Sequence, residues 1–473
     1  MLWLALILPE PALQANLRGS TDDAPLALVD RHPRAVVVAA SRSARAEGVL
    51  PGQALAGALA IAPALRLLDH DPAQGAALLE EVACWAGHFT PSVSIDPPDC
   101  VLLEVAPSLR LFGGMAALVD RVRHGLDGLG LEHRCGWAPT PLAARWLTRA
   151  DSGRPVTDIR RLGPALDALP LAALADGSGV DDGVLALLHA IGCRRLADVT
   201  ALPRDALARR QGATVGDALD RAFGRCPDPR PIHAPPTHYR ARLPLPAPSD
   251  RRDTLLFLLR RLLAGLGGWL TARHAGVDRL RIVLEHEGRL PETALDVLPG
   301  TPCRDQQRLL LLIREHLERL PIGAEVAALR LEAADPVPLA IPPGDFFDDH
   351  HAVRENAELL LARLRARLGP AAVRRLRVHA DHRPEHAGDR GEPGALPELP
   401  AGARPLWLLA QPERLDPTRL ELLDGPERIE SGWWDEREVR RDYYLARDRR
   451  GSLLWVYREL QAPHSWYLHG YFG

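Results

Sequence analysis

The chain has 473 residues, of which 46% are hydrophobic and 25% charged, and its formal net charge is −3. This length predicts three or more domains. The near-neutral charge excludes binding of nucleic acid through overall positive charge, so any such contact needs local patches. All 58 basic residues other than histidine are arginine, whose planar head group suits bidentate phosphate contacts.

The cysteines and the chain start indicate a reducing, non-membrane environment. The six cysteines include no Cys-x-x-Cys pair, which argues against a zinc site or a disulfide framework and is typical of the cytoplasm. Residues 1–8 are apolar but have no positively charged start, and Pro9 and Glu10 end the run. We therefore expect a buried strand there instead of a signal peptide, and no transmembrane helix.

Strand and helix patterns alternate over the first 150 residues, which predicts an α/β fold. The strand candidates are 1–8, 26–30, 35–40, 93–105 in two pieces, and 133–138; the helix candidates are 53–61, 74–88 and 115–129. Residues 160–225 read as mostly helical, and the proline-rich residues 226–237 as a linker.

The second half predicts a further sheet and then a distinct tail. Strand candidates at 239–245, 280–286, 294–297 and 326–332 alternate with long helices at about 251–273 and 304–319, which fits a small sheet with paired helices. Residues 334–348 suggest an exposed linker, 351–368 a helix, and 381–404 disorder. Five of the six tyrosines lie between Tyr443 and Tyr471, which indicates a small aromatic β module.

Two segments resemble the metal-binding segments of Y-family, lesion-bypass DNA polymerases. Those enzymes take an Asp from the end of the first strand and an Asp-Glu pair from a later strand, and the carboxylates hold two Mg²⁺ ions. Here the first strand is Leu2-Trp3-Leu4-Ala5-Leu6-Ile7-Leu8, and Ile7 stands near the place of the first Asp. Ile7 cannot bind a hard cation, and the next carboxylate is Glu10.

The later segment, residues 94–105, can be aligned in two ways. Matching Ser94-Ile95 places Asp96-Pro97 on the family's Asp-Glu pair, whereas matching the downstream strand places Asp99-Cys100 there. We prefer the second alignment because it needs no gap inside the strand. The Glu is missing in both alignments. Two interpretations therefore stand: the remaining carboxylates still bind a metal ion, or Asp96 to Asp99 is simply a polar turn.

Other segments resemble the family's phosphate contacts. Residues 38–49 are similar to Ala-Asn-Tyr-Glu-Ala-Arg-Lys-Phe-Gly-Val, so the resemblance implies that Arg45, and Arg42 in place of the Tyr, face a triphosphate. Residues 136–145 are similar to Gly-Ile-Ala-x-Asn-Lys-x-x-Ala-Lys, which implies a third contact from Arg145. The alternative for Arg42 and Arg45 is a solvated helix face.

The resemblance also implies DNA-backbone contacts. Residues 191–199 are similar to the helix-hairpin-helix region of the thumb, whose backbone amides face phosphates, so Gly192, Arg194 and Arg195 are candidates; the nearest match to its upstream Gly-x-Gly is Gly177-Ser178-Gly179. Residues 238–333 stand in the place of the little finger. Its candidates share strand faces or lie near the strands: Arg240, Arg242, Arg279, Arg281 and Arg304. A helical-bundle turn and ordinary exposed arginines are the alternatives.

The linker contains Pro342-Pro343-Gly344-Asp345-Phe346-Phe347-Asp348. It resembles the Gln-x-Asp-Leu-Phe peptides that bind bacterial sliding clamps, with Asp345, Phe346 and Phe347 as the binding residues and Pro343 in place of the Gln. Intramolecular packing of the two Phe is the alternative. Asp348-Asp349-His350-His351 reads as a solvated polar run instead of a metal site.

Together these segments resemble the ImuB family of catalytically degenerate Y-family-like proteins. The implied fold is multidomain α/β and α+β, with these parts: palm and fingers at 1–155 (fingers about 19–75), helical thumb at 156–230, little finger at 236–335, clamp-binding linker at 336–350, helix and disordered linker at 351–404, and partner-binding β module at 405–473.

The resemblance implies a non-catalytic adaptor of the cytoplasm and nucleoid in DNA damage tolerance. Its partners would be DNA, the sliding clamp, an error-prone C-family DNA polymerase and a RecA-like accessory protein, with no cofactor. The alternative is an active translesion polymerase that binds Mg²⁺ through Asp96, Asp99 and Glu104 or Glu10. A generic helix-hairpin-helix module is a third interpretation, against which the palm-like first 150 residues argue.

Overall fold

The computed structural model describes residues 1–20, 24–151, 155–204, 213–288, 290–339, 349–369, 371–373, 375–391 and 404–472. The chain forms two compact units, Met1–Arg367 and Leu368–Gly473.

The first 150 residues form two sheets surrounded by helices. The described strands β1–β7 are Trp3–Ile7, Leu26–Asp30, Val36–Ala40, Arg66–Asp69, Val93–Asp96, Cys100–Glu104 and Arg134–Ala138. Strands β5-β6-β1-β7 make an antiparallel sheet, and β3-β2-β4 make a smaller one. The helices are Pro11–Leu17, Arg42–Ala46, Leu55–Ile61, Pro72–Ala86, Leu109–Phe112, Met115–Leu129 and Pro141–Arg149.

Strand β1 is buried on both faces, which explains its unbroken apolar sequence. Alternate side chains of a strand point to opposite sides. Leu4, Leu6 and Leu8 pack with the core of helices Pro72–Ala86 and Met115–Leu129, whereas Ala5 and Ile7 pack with helix Pro141–Arg149 on the other side. Each fully buried leucine contributes about 1.5–3 kcal/mol, so β1 is a central element of the fold.

The helical segment that follows shares a core with this sheet. Its described α-helices are Leu162–Asp167, Asp182–Ala190, Leu196–Thr200 and Ala213–Ala222. Leu166 and Leu196 belong to the same buried cluster as Ile7 and Trp146. The thumb-like segment is therefore packed on the face of the sheet that carries Ile7.

The third segment has the strand-helix-strand-strand-helix-strand order that the sequence predicts. Strands β8–β13 are Tyr239–Ser249, Ala275–Gly276, Leu280–His286, Thr293–Val297, Val326–Ala333 and Val337–Pro338, and the main sheet has the order β11-β10-β12-β8. Helices Arg252–Ala272 and Gln306–Arg319 cover one face. Helix Arg252–Ala272 is long and apolar enough to cross a membrane. However, 67% of its most apolar 18-residue stretch is buried inside the protein, as in a core helix.

The second unit is a β module. Helix Asp349–Leu368 leads to it, and strands β14–β20 are Arg375–Val378, Gly388–Gly391, Trp407–Arg414, Glu421–Ser431, Val439–Arg447, Leu453–Glu459 and Trp466–Tyr471. The last five make one antiparallel sheet, in the order β16-β20-β19-β18-β17. Its core stacks Tyr443 on Trp455, with ring centroids 4.2 Å apart.

The prediction of disorder over 381–404 is wrong for residues 381–391. Strand β15 pairs with β14 there, and Arg383 is buried and bonded to Asp381 and Asp435. These ion pairs hold the segment in an ordered conformation although it has few apolar side chains. Its polar composition therefore did not indicate disorder. Residues 392–403 lie outside the described residues.

Candidate functional site

Ile7 and Cys100, the two positions that the preferred alignment places on missing carboxylates, lie side by side in the core. Ile7 and Cys100 are cross-strand partners in the β1–β6 pair, and both are fully buried. They pack in one cluster with Leu102 and Trp146, and burial raises the pKa of the Cys100 thiol well above its usual range. At the two positions that this alignment matches to carboxylates, the side chains thus belong to an apolar cluster.

The remaining carboxylates flank the turn between β5 and β6 and face a buried arginine. Asp96 ends β5 and Asp99 precedes β6. Arg145, whose side chain is 1% exposed, places Nη1 2.8 Å from Asp96 Oδ2 and Nη2 3.4 Å from Asp99 Oδ1. Its Nη1 also donates to the Asp96 carbonyl at 2.7 Å. The guanidinium therefore lies between the two carboxylates.

A third aspartate, from the thumb-like segment, completes the cluster. Asp176 Oδ1 lies 2.7 Å from Arg145 Nη2, and Asp176 Oδ2 lies 3.1 Å from Arg149 Nε. Arg149 Nη2 also contacts Asp99 Oδ2 at 2.7 Å. Arg230, from the proline-rich linker, reaches Asp96 Oδ1 at 3.1 Å. We call Arg145, Arg149, Arg230, Asp96, Asp99 and Asp176 the buried ion cluster; it joins the sheet, the helical segment and the linker.

The buried ion cluster is an ion-pair network that continues through Arg230 to Asp228. Burial alone would raise the pKa of Asp176, but hydrogen bonds from Arg145 and Arg149 hold it below its usual value. Burial likewise opposes the charge on Arg145, yet the hydrogen bond to Asp176 raises its pKa above the ordinary value. Because each buried charge has a partner, the cost of removing it from water is offset.

These residues do not fit a pair of Mg²⁺ ions. Magnesium needs near-octahedral oxygen ligands, whereas Ile7 and Cys100 offer none, and Asp96 and Asp99 are bound by guanidinium groups. Each aspartate of the cluster already contacts an arginine, and Arg230 also contacts Asp228 Oδ2 at 2.8 Å. In this cluster, arginine side chains supply the positive charge beside the aspartates.

The two further carboxylates considered from the sequence lie elsewhere. Glu104 pairs with Trp3 at the opposite end of β1 from Ile7, and its Oε1 accepts from the Leu2 and Ala106 amides. Glu10 precedes helix Pro11–Leu17 and is ion-paired with Arg45. Burial raises the pKa of Glu10 despite that arginine.

An open cleft of about 900 Å³ runs beside the buried ion cluster. Helix Arg42–Ala46, which Ser41 caps, carries the exposed Arg42 and Arg45 on its wall. The cleft is also lined by Glu10, Asp99 and Arg149. The structure thus brings the two predicted phosphate-facing arginines to one cleft, and whether they bind a phosphate stays a prediction.

Comparison with known proteins gives the family. The sequence profile of the impB/mucB/samB family matches residues 13–149. The chain is 31% identical over 466 residues to "Protein ImuB" of two Caulobacter vibrioides strains, NA1000/CB15N and CB 15, covering 90% of this chain and 100% of each relative. The chain belongs to the ImuB family.

Solved structures with 15–16% sequence identity cover 72% of this chain. They include a ternary complex and a post-insertion binary complex of Dbh DNA polymerase, both with a TM-score of 0.41. A DinB family error-prone DNA polymerase from Sulfolobus solfataricus has a TM-score of 0.40. Each of these chains is covered in full.

The position of Arg145 corrects one expectation that the ImuB resemblance suggested. The family pattern implied a triphosphate contact, but the Arg145 head group is buried and its Nε, Nη1 and Nη2 contact Asp176, Asp96 and Asp99. Its neighbour one turn later, Arg149, is 35% exposed and lines the cleft. Arg145 is therefore a residue of the buried ion cluster.

The thumb-like turn at Gly192 also differs from the expectation. Gly192 has a φ of 98°, which suits a tight turn between two helices. The amides of Arg194 and Arg195 donate to Asp198 Oδ2 at 2.7 and 2.9 Å, and these bonds lower the pKa of Asp198. The amides expected to face phosphate are thus occupied, which leaves the exposed arginine side chains as the candidates.

The little-finger-like sheet presents an exposed face on which arginines and acids alternate. Cross-strand register places Arg281, Glu332 and Arg240 in one row, and Arg242 contacts Glu285 at 2.8 Å. We call this surface the sheet face; its charged residues are Arg240, Arg242, Arg281, Arg330, Glu285, Glu292, Asp296 and Glu332. Arg279 and Arg304 are exposed beyond the strands. DNA binding by these arginines stays a prediction.

The clamp-binding prediction falls on residues that the structure does not describe. Asp345, Phe346 and Phe347 lie outside the described residues, as do the neighbouring Pro343 and Asp348. Asp349, at the end of the same polar run, begins helix Asp349–Leu368.

Sequence reasoning missed three members of the buried ion cluster, namely Arg149, Asp176 and Arg230. One signal was available: Asp176 directly precedes Gly177-Ser178-Gly179, the candidate for the family's Gly-x-Gly. Gly177 has a φ of 66°, and a Cβ there would lie 2.8 Å from Arg145 Nε. The glycine is needed because the buried arginine packs against the backbone.

Proposed function

We propose that this ImuB-family chain is a non-catalytic, polymerase-like adaptor in DNA damage tolerance. The observation that carries the proposal is the buried ion cluster, in which arginines bind Asp96 and Asp99, the carboxylates of the segment that resembles the family's metal-binding pair. A polymerase of this class depends on two metal ions to activate the attacking oxygen and to neutralise the leaving group. A polymerase-like fold without these metal ions can still bind DNA and partner proteins.

The features that support the adaptor role lie apart from the buried ion cluster. The cleft with Arg42 and Arg45 and the sheet face offer cationic side chains to a phosphate backbone. Family membership and the impB/mucB/samB match support a place in translesion DNA synthesis in the cytoplasm and nucleoid.

We assign partner binding to the linker and to the second unit. Asp345, Phe346 and Phe347 would bind the sliding clamp. In the second unit, Trp433 and Trp434 are 73% and 59% exposed and meet edge to face, with ring centroids 4.7 Å apart. Exposed tryptophans are typical of protein-binding surfaces, so this pair would contact the error-prone C-family polymerase or the RecA-like accessory protein.

Primer extension tests the absence of polymerase activity. The purified chain is incubated with a primed lesion-containing template, deoxynucleotides and Mg²⁺ or Mn²⁺, and an active Y-family polymerase serves as the positive control. We expect no extension by the wild type. Extension that Asp99→Asn abolishes, with the fold confirmed by circular dichroism, would establish the alternative, an active polymerase that uses Asp96 and Asp99.

A clamp pull-down tests the adaptor role separately. We expect the wild-type chain to bind the purified sliding clamp and the double variant Phe346→Ala/Phe347→Ala to lose that binding. The matched control is Trp433→Ala/Trp434→Ala, which removes two exposed aromatics from the other assigned surface. Equal clamp binding by the wild type and the Phe variant would remove the clamp assignment.

A further inference from the structure

One helix and the linker bring together three side chains of metal-ligating type. Glu80 and Cys84 lie one turn apart on helix Pro72–Ala86, so they share a face. His233, from the proline-rich linker, lies over them, with Nε2 2.6 Å from Glu80 Oε2. A carboxylate oxygen, the Cys84 sulfur and a ring nitrogen of His233 all lie within 4.8 Å of one another.

The position of His233 is fixed by its own backbone. Its amide donates to the Val93 carbonyl at 2.7 Å, which attaches the linker to strand β5. Three residues later, the Pro236 carbonyl accepts from Arg273 Nη2 at 2.7 Å. The side chain of His233 is 8% exposed, and Cys84 is 6% exposed. Two of the three groups are therefore held in place and shielded from water.

We propose that Glu80, Cys84 and His233 bind one zinc ion, which fastens the linker to the helix. Sulfur, imidazole nitrogen and carboxylate oxygen are the ligands that zinc takes in proteins, and three protein ligands leave the fourth position to water. Tetrahedral ligands around zinc lie roughly 3.5 Å apart, so the cluster must close by about 1 Å. Glu80, whose side chain is 57% exposed, has the freedom to make that adjustment.

The charges favour a divalent ion. Glu80 and a Cys84 thiolate supply two negative charges, which neutralise Zn²⁺. A free cysteine is a thiol at neutral pH. Binding therefore forms a sulfur–zinc bond and releases the thiol proton to solvent.

The proposed site departs from the expectation that a chain without a Cys-x-x-Cys pair has no zinc site. The i, i+4 pair Glu80/Cys84 is ordinary on a helix, and His233 is separated from it by some 150 residues, so no short motif marks the site. Coordination here would hold the linker, and with it the start of β8, against helix Pro72–Ala86.

Cobalt titration tests the proposal, because Co²⁺ takes zinc sites and reports sulfur ligation by a charge-transfer band in the near ultraviolet. For the reduced, full-length chain we expect one equivalent of bound Co²⁺ with that band, displaced by Zn²⁺. Cys84→Ser should abolish the band, and Glu80→Gln should weaken cobalt binding by at least about tenfold. Cys226→Ser, which removes a linker cysteine outside the cluster, is the matched control and should leave the titration unchanged.

Two results would overturn the zinc site. The first is a wild-type chain that binds no stoichiometric Co²⁺ or Zn²⁺, in which case Glu80 and His233 are only a hydrogen-bonded pair. The second is a band that persists unchanged in Cys84→Ser. Glu80→Gln keeps the test decisive if Cys84→Ser fails to fold, because Glu80 is exposed; unchanged cobalt affinity in that variant would also reject the site.

Discussion

The buried ion cluster and the sheet face are built from the same residue types but differ in burial. In the buried ion cluster, Arg145 is 1% exposed and each aspartate is at most 14% exposed. On the sheet face, Arg240 and Arg242 are 67% and 52% exposed. Water and salt screen the second set, whereas the protein replaces water around the first.

This difference decides what each region can do. An exposed arginine–carboxylate pair contributes about 0–1 kcal/mol, so a DNA phosphate can displace the carboxylate at little cost. Opening a buried pair leaves an uncompensated charge, which costs several kcal/mol. The buried ion cluster is therefore fixed structure, and the sheet face is an exchangeable surface whose own acids compete with DNA.

The largest expected effect comes from removing the central guanidinium. Arg145→Met keeps most of the volume but leaves Asp96, Asp99 and Asp176 with too little positive charge. We expect the free energy of unfolding of the first unit to fall by about 3–5 kcal/mol. Urea denaturation, followed by circular dichroism, measures the change.

The matched control for Arg145→Met is Arg242→Met on the sheet face. It removes the same side chain from a half-exposed ion pair, so we expect a loss below about 1 kcal/mol. Equal losses in the two variants would contradict the distinction between a fixed cluster and an exchangeable surface.

The sequence predicted the elements of both regions better than their side-chain chemistry. Short segments rich in apolar residues located β1, β10 and β12, because strand burial depends on local pattern. They did not reveal the buried ion cluster, because Asp176 and Arg230 come close to Asp96 only through tertiary packing of three segments. The motif alignment singled out Arg145 but assigned it to phosphate, since the match carries no information on burial.

In the second unit, the pH dependence of stability tests whether burial controls the protonation of a histidine. His469 is 1% exposed, and its Nδ1 lies 2.9 Å from the Tyr443 hydroxyl. Burial lowers its pKa to about 4 from an ordinary 6.5; Glu385 opposes that shift and Arg441 adds to it. Between pH 6.5 and 4, His469 is therefore protonated in the unfolded chain but neutral in the folded chain.

We accordingly expect the stability of the second unit to be complete above pH 6.5 and to fall as the pH approaches 4. The loss is on the order of 3 kcal/mol, since one pKa unit corresponds to about 1.4 kcal/mol. Chemical denaturation at several pH values, followed by tryptophan fluorescence, measures it. His469→Gln should flatten this pH dependence, and His464→Gln, at an exposed position, should not; the same slope in both variants would show that His469 is not its source.

The smallest expected effect concerns the sheet face, and it is a gain in DNA affinity instead of a loss of stability. Glu285 pairs with Arg242 and Arg330, and Glu332 pairs with Arg240 and Arg330. The double variant Glu285→Gln/Glu332→Gln keeps side-chain size and removes two competing negative charges. We expect it to bind duplex DNA a few-fold more tightly at low salt and to show a steeper salt dependence, because Arg240 and Arg242 then lose their competing carboxylates and can pair with phosphates.

Fluorescence anisotropy with a labelled duplex, at several salt concentrations, measures this effect. Arg240→Ala/Arg242→Ala should weaken binding and reduce the salt slope, by about one for each phosphate that the variant no longer neutralises. Glu430→Gln, an exposed strand glutamate of the second unit, is the control for removing a negative charge in general. If it tightens binding as much as the sheet-face variant, only net charge matters. A sheet-face variant that binds no better than the wild type would mean that DNA does not contact this surface, and the exchange of carboxylate for phosphate would then have to occur in the cleft with Arg42 and Arg45.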